Sequence, residues 1–136
     1  MVLVMDTIVI AGKEYNELGV FNERDEYIRL EAVDLCFALK KLIFDKSALV
    51  RAAVARKKVG HEYLVKDDSW RVRATVAKYT DQKNILDQLV ADNNEFVRFV
   101  VVKRGHGLDS FVHDVDEEIA SIARYQLQND GQACLG

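Results

Sequence analysis

The chain has 136 residues, 49% of them hydrophobic, which is enough for the core of one domain. Its formal net charge of −3 argues against a general polyanion binder, and its two cysteines argue against a disulfide scaffold and indicate a reducing compartment. No apolar stretch approaches the roughly 20 residues that span a bilayer, and residues 1–5 make a poor signal peptide. We therefore expect a soluble, cytoplasmic protein that makes no membrane contact.

The first predicted element is an N-terminal cap over residues 1–22. Residues 7–10 are all β-branched, and residues 11–13 contain a glycine suited to a turn. This pattern predicts either a small β-hairpin or an extended capping segment. Its expected role is to cover the exposed end of the helical array that follows.

Five copies of one pattern follow, and each copy begins with an acidic residue, here numbered position zero. These acids are Glu23, Asp45, Asp67, Asp92 and Asp114, so by subtraction successive copies lie 22, 22, 25 and 22 residues apart. A fixed period of this size is typical of stacked helical repeats. We predict an all-α fold in a single domain over residues 1–136: a right-handed α-solenoid of about five short repeats of 22–25 residues each.

Three features recur in register within the copies. Position plus two holds residues that cap helices well, namely Asp25, Ser47, Ser69, Asn94 and Asp116. Positions plus five and plus nine are apolar and share one helix face, which we expect to be buried: Ile28, Val50, Val72, Val97 and Ile119, then Ala32, Val54, Val76, Val101 and Ala123. An apolar pair precedes each acid and is expected to pack on the neighbouring unit.

We therefore predict that each repeat forms an α-helix of about ten residues, followed by a shorter helical or 3₁₀ segment that leads back to the start of the next repeat. In the first repeat, helix-compatible sequence continues to Leu42, which places Cys36 inside the helix as a small core residue. The three extra residues of the third repeat are expected in a loop between Thr80 and Ile85. The repeats span residues 23–127, and residues 128–136 are expected to form a loose tail.

The recurring Asp-x4-Val-Arg sequence, as in Asp67 to Arg73, resembles HEAT-like repeats. The short period is more similar to the leucine-rich repeat variant family, whose units pair an α-helix with a 3₁₀ helix. The resemblance covers roughly residues 20–127 and implies a binding array. The founding member of that family also carries a cysteine-ligated iron–sulfur cluster. Here only Cys36 and Cys134 are present, so four-cysteine ligation within the chain is impossible and we expect no cluster.

Arginine recurs at position plus six in the first four copies, and alanine replaces it in the last: Arg29, Arg51, Arg73, Arg98 and Ala120. Such a row is either a clamp for phosphate or carboxylate ligands or a structural ladder. In the ladder, each arginine bonds to the acid or a backbone carbonyl of a neighbouring unit. The acid that accompanies every one of these arginines favours the ladder.

Charge is unevenly distributed along the chain. Residues 1–45 contain five Lys or Arg against nine Asp or Glu, and residues 106–136 contain one against six. Residues 46–105 contain thirteen against seven, so the middle of the chain is basic and both ends are acidic. A local field of this kind can determine which partner binds, even when the net charge of the chain is negative.

A second row of residues supplies the candidate binding site. Position plus eleven lies about 120° from plus five around the helix, off the buried face, and it is basic in the middle repeats. Positions plus four and plus seven also lie off the buried face and add arginine and aromatic side chains. We predict that a partner binds at Arg56, Arg71, Lys78, Phe96, Phe99 and Lys103. The alternative is a solvated basic face with both phenylalanines buried by the return segments.

The sequence contains no catalytic pattern as well supported as the candidate binding site. The histidines His61, His106 and His113 match no zinc-binding spacing. Asp109, Ser110 and His113 are residue types of a catalytic triad, but closeness in sequence is not triad geometry. The sequence contains no glycine-rich phosphate loop. We expect no enzymatic activity, no metal and no cofactor.

These observations predict a non-enzymatic protein–protein interaction module or adaptor that presents a central basic and aromatic face to an acidic patch on its partner. The alternative is a protein that binds nucleic-acid backbones, as some HEAT-like DNA repair glycosylases do with a basic inner surface. That alternative needs a continuous basic groove, whereas the ends of this chain are acidic.

Overall fold

A computed structural model describes the backbone of residues 6–135 and the side chains of residues 6–130. Within this range the protein is mostly helical, as predicted, with one antiparallel pair of strands at its start. Strands β1 (Thr7–Ile10) and β2 (Lys13–Asn16) form a hairpin in which Ile8 pairs with Tyr15. Its turn residues Ala11 and Gly12 have φ values of 51° and 79°, which suit a tight two-residue hairpin turn.

Longer and shorter helices alternate along the described chain. The longer ones are α2 (Glu26–Asp34), α4 (Ala48–Arg56), α6 (Trp70–Tyr79), α8 (Glu95–Lys103) and α10 (Glu117–Leu135). The shorter ones are α1 (Glu17–Phe21), α3 (Leu39–Leu42), α5 (His61–Leu64), α7 (Lys83–Leu89) and α9 (Leu108–Phe111). Each longer helix therefore begins directly after position plus two of its repeat.

The repeat pattern explains where these helices start and which face they bury. The side chain at plus two accepts a hydrogen bond from an amide of the first helical turn in four of the five repeats, the exception being Ser69. Such a cap contributes about 1 kcal/mol to helix stability. All ten side chains at plus five and plus nine are buried, so the predicted core positions are confirmed.

Packing follows the order of the chain. Helix α2 contacts α4, α4 contacts α6, α6 contacts α8, and α8 contacts α10. The shorter helices α3, α5, α7 and α9 each pack on the longer helix that follows them. The first member of the apolar pair before each acid is almost fully buried at Val20, Leu42, Leu64, Leu89 and Phe111. The core is therefore continuous through the described chain, and its members come from every repeat.

The first repeat differs from its prediction. Helix α2 ends at Asp34 and does not continue to Leu42, because Cys36 and Ala38 adopt positive φ values of 57° and 60°. Cys36 is consequently an exposed residue of the connection and not a core residue. Equivalent connections use Gly60 and Gly107 at the position of Ala38. The first repeat lacks glycine there, so its sequence gave no signal that the helix ends.

Two further differences concern helix lengths. The extra residues of the third repeat do not form a loop: α7 has seven residues where α3, α5 and α9 each have four, a difference of three. Helix α10 runs to Leu135, past the expected end of the repeats at Leu127 and into the segment expected to be a loose tail. Residues 119–130 contain no glycine or proline, and the helix continues through Gly131.

Candidate functional site

The arginines at plus six form a ladder that joins successive repeats. Each guanidinium binds both carboxylate oxygens of the acid that begins the next repeat, in the pairs Arg29–Asp45, Arg51–Asp67, Arg73–Asp92 and Arg98–Asp114. The Nε–Oδ2 distances are 2.7 Å, 2.8 Å, 2.8 Å and 2.9 Å. The Nη1 atom donates to the carbonyl of the acid that begins the arginine's own repeat. The ladder prediction is confirmed, and these guanidiniums already have their partners.

The ladder is closed at its N-terminal end by the hairpin. The hydroxyl of Tyr15, on β2, donates a hydrogen bond of 2.8 Å to Glu23, the acid that begins the first repeat. This bond holds the pKa of Glu23 below its ordinary value and raises the pKa of the Tyr15 phenol. Tyr15 thus occupies the role that an arginine has for each later acid. At the other end, the buried side chain of Ala120 replaces the plus-six arginine.

All six candidate binding residues lie on the longer helices, and none of them belongs to the ladder. The four cations Arg56, Arg71, Lys78 and Lys103 are exposed. Phe96 is 51% exposed, so it is not buried by the return segments, and Phe99 is partly buried. Phe96 therefore keeps about half of its surface available to a partner.

Phe96 lies at the centre of an aromatic cluster, which we define as Trp70, Phe96 and Phe99. The Trp70 and Phe96 rings meet edge to face with centroids 5.2 Å apart, and the Phe96 and Phe99 rings stack at 6.0 Å. Trp70 comes from α6 and both phenylalanines come from α8, so the cluster bridges two repeats. Such ring pairs contribute about 0.5–1.5 kcal/mol beyond their buried area, which favours this arrangement of the rings.

Two of the cations lie directly against this cluster. The guanidinium carbon of Arg71 is 4.7 Å from the centroid of the Trp70 ring, and the Lys103 ammonium is 5.9 Å from that of Phe99. Among the described residues, Arg71, Lys78 and Lys103 take part in no salt bridge. Their charges are therefore available to a ligand, in contrast to those of the ladder arginines.

Two clefts flank the ring of Phe96. The first has a volume of about 290 Å³, lies between α6 and α8, and is lined by Trp70, Arg71, Ala74, Thr75, Lys78, Phe96 and Val100. The second, of about 260 Å³, lies between α8 and α10 and is lined by Glu95, Phe96, Phe99, Asp116, Glu118 and Ile119. Arg71, Lys78 and Phe96 thus meet in one cleft, and Phe96 and Phe99 in the next.

One predicted site residue lies apart from the aromatic cluster and its two clefts, and one aromatic residue that lines a cleft was not predicted. Arg56 lies at the exposed C-terminal end of α4 and lines neither cleft, so it is separate from the cluster. Trp70 was missed because it stands at plus three, where the other repeats have Glu26, Ala48, Glu95 and Glu117. A signal for it was its place beside Arg71, on the same helix as Lys78.

The weak candidates for catalysis were the histidines and the group Asp109, Ser110 and His113. His61 is buried, and its Nε2 lies 2.7 Å from the Ala55 carbonyl oxygen. His106 Nε2 lies 2.6 Å from Asp87 Oδ1 at the surface. Among residues 6–130, no side-chain hydrogen bond links Asp109, Ser110 and His113. The same part of the chain contains no group of three or more His, Cys, Asp or Glu residues placed to hold a metal ion.

Comparisons of the chain with protein-family models, with curated proteins and with solved structures gave no match. Within the described residues, no helix has both the length and the apolar character needed to cross a membrane.

Proposed function

We propose that this protein is a short α-solenoid of stacked repeats, similar to the leucine-rich repeat variant and HEAT-like arrays, that acts as a non-enzymatic protein-binding module. Two observations support the stacked arrangement. Successive longer helices contact each other in chain order, and the arginine ladder joins each repeat to the next. Each unit contacts mainly its neighbours, which is the basis of stability in repeat arrays.

The observation that carries the binding proposal is the half-exposed ring of Phe96, held between two other aromatic rings and beside free cations. Aromatic and arginine side chains contribute a large share of the energy of protein interfaces. Burying the cluster beneath a partner removes its apolar surface from water. Arg71, Lys78 and Lys103 then attract an acidic patch on that partner and orient it.

One observation favours nucleic-acid binding as a second candidate function. Free cations lie beside exposed ring faces, and proteins that bind single strands combine basic grooves with rings on which bases stack. Three acidic residues in the second cleft oppose this candidate, because Glu95, Asp116 and Glu118 would repel phosphates. The protein-binding function is therefore preferred.

The experiment that tests the proposal compares Phe96→Ala with Tyr63→Ala as baits for partner capture. Tyr63 is 61% exposed, lies on α5 and lines neither cleft beside Phe96, so it controls for the loss of an exposed ring. We expect one protein to bind wild type and Tyr63→Ala and to be lost with Phe96→Ala. Equal recovery with all three baits, at unchanged melting temperatures, would contradict the proposal.

A second arm uses the charge reversal Arg71→Glu, Lys78→Glu and Lys103→Glu, which inverts the three cations beside the cluster. If the folded variant binds the captured partner with the affinity and salt dependence of wild type, these cations do not belong to the site. The acidic ends of the chain would then be the better candidates. If the captured material is nucleic acid and binding falls steeply with salt, the second candidate function is correct, because phosphate contacts release counterions.

A further inference from the structure

The sequence predicted a basic surface around Phe96. In the structure, the charged residues that line the two clefts beside this ring have opposite signs. The cleft between α6 and α8 contains Arg71 and Lys78 as its only charged residues. The cleft between α8 and α10 contains Glu95, Asp116 and Glu118 as its only charged residues. One exposed aromatic ring therefore separates a cationic cleft from an anionic cleft.

The apolar parts of the two clefts are continuous through the ring that they share. The cationic cleft has an apolar floor of Ala74 and Val100 beside Trp70. The anionic cleft has Phe99 and the buried side chain of Ile119. A ligand that fills both clefts therefore needs two apolar side chains, one on each side of the Phe96 ring.

The charged residues of both clefts are available to such a ligand. Among the described side chains, Arg71, Lys78, Glu95 and Glu118 take part in no salt bridge with one another or with any other residue. Asp116 caps α10 through a hydrogen bond of 3.2 Å from the Ile119 amide, so its carboxylate already has one partner. Two free cations thus line one cleft and two free anions line the other, while Lys103, which lies over the Phe99 ring, lines neither cleft.

We propose, resting on the protein-binding function above, that the occupant is a peptide segment of fixed polarity. The segment carries two apolar side chains for the two clefts, an acidic residue beside the first and a basic residue beside the second. The acidic residue pairs with Arg71 and Lys78, and the basic residue pairs with Glu95 and Glu118. If the acidic and basic residues of the segment were exchanged, each would lie beside protein residues of its own charge. The resulting repulsion would disfavour that charge order.

The test selects peptides from a displayed random library on wild type and on a charge-swapped protein. The swap combines Arg71→Glu and Lys78→Glu with Glu95→Lys and Glu118→Lys, so the net charge is unchanged. From the wild-type selection one peptide is synthesised together with a counterpart in which every Asp or Glu is exchanged with Lys or Arg. We expect wild type to prefer the selected peptide by about tenfold or more, and the swapped protein to prefer the counterpart.

Controls separate failure of the polarity from failure of the proposed function. If peptides bind wild type and lose binding with Phe96→Ala, but neither protein distinguishes the two charge orders, the polarity is wrong and the binding function stands. If no selected peptide depends on Phe96, both are wrong. If an oligothymidylate competes better than every peptide, the surface binds nucleic acid. If wild type forms a dimer that Phe96→Ala abolishes, the occupant is a second copy. Either of the last two results overturns the peptide proposal.

Both proteins must show cooperative melting before they are compared. If the fourfold swap does not fold, Lys78→Glu with Glu118→Lys replaces it, because both residues are exposed and the net charge is again unchanged. This pair alters one charge in each cleft. We expect it to reduce or invert the preference of wild type, and an unaltered preference would contradict the proposal.

Discussion

The arginine ladder makes a quantitative prediction about stability. Arg29 and Asp45 have only 2% and 1% of their side-chain surface exposed, whereas Arg73 and Asp92 have 14% and 7%. Removing one partner of a fully buried ion pair costs about 3–5 kcal/mol, because a charge is left buried and uncompensated. A partly exposed carboxylate recovers some hydration, so its loss of a charged partner costs about 1–3 kcal/mol. Arg29→Ala should therefore destabilise the protein more than Arg73→Ala.

Urea denaturation followed by circular dichroism measures both effects as changes in the free energy of unfolding. Arg56→Ala is the matched control, because Arg56 is exposed and outside the ladder, and we expect it to cost less than about 1 kcal/mol. A double-mutant cycle of Arg73→Ala with Asp92→Ala should show coupling of about 1 kcal/mol or more. If Arg73→Ala unfolds at the same urea concentration as Arg56→Ala, or if the cycle is additive, the ladder does not stabilise the stack.

Three further substitutions test the connections and the cap. Gly60→Ala should lower the free energy of unfolding more than Gly12→Ala does. Both glycines have positive φ, which is strained for alanine, but only at Gly60 would the added Cβ also lie 2.6 Å from a methyl carbon of Ile43. Cys36→Gly should raise the melting temperature, because its φ of 57° is strained for any residue with a Cβ. Tyr15→Phe should lower stability at neutral pH. The difference in stability between Tyr15→Phe and wild type should shrink as pH falls below 4.5, because protonation of Glu23 removes the stabilisation that its lowered pKa represents. The same difference should shrink as pH rises above 10.0, because ionisation of Tyr15 removes the stabilisation that its raised pKa represents. A difference that is constant from pH 3 to pH 11 would contradict the role of this hydrogen bond.

Features that recur in every repeat could be predicted from the sequence. Val50, Val72 and Val97 stand at one position of the pattern, and all three are buried. The ladder was predictable for the same reason, because arginine and acid recur together. Repetition supplied several independent observations of each position, and equivalent core positions of the repeats are all buried.

Features that occur once could not be predicted in this way. The end of α2 depends on left-handed conformations at Cys36 and Ala38, residue types that rarely adopt them. The aromatic cluster depends on Trp70, which has no equivalent in the other repeats. The acidic side of the cluster depends on residues from α8 and α10 that meet only in the folded protein, as Glu95 and Glu118 do. These contacts depend on how neighbouring repeats pack, which the spacing of residues within one repeat does not specify.

The most direct test of the binding surface is hydroxyl-radical footprinting of the isolated protein and of its complex with the partner that wild type captures. Trp70 and Phe96 should be oxidised readily in the isolated protein and protected in the complex. Tyr63 and Tyr125, which are 61% and 65% exposed, serve as internal controls and should be oxidised equally in both states. Protection of Tyr63 or Tyr125 with unchanged oxidation of Trp70 and Phe96 would contradict the assignment of the aromatic cluster as the binding surface.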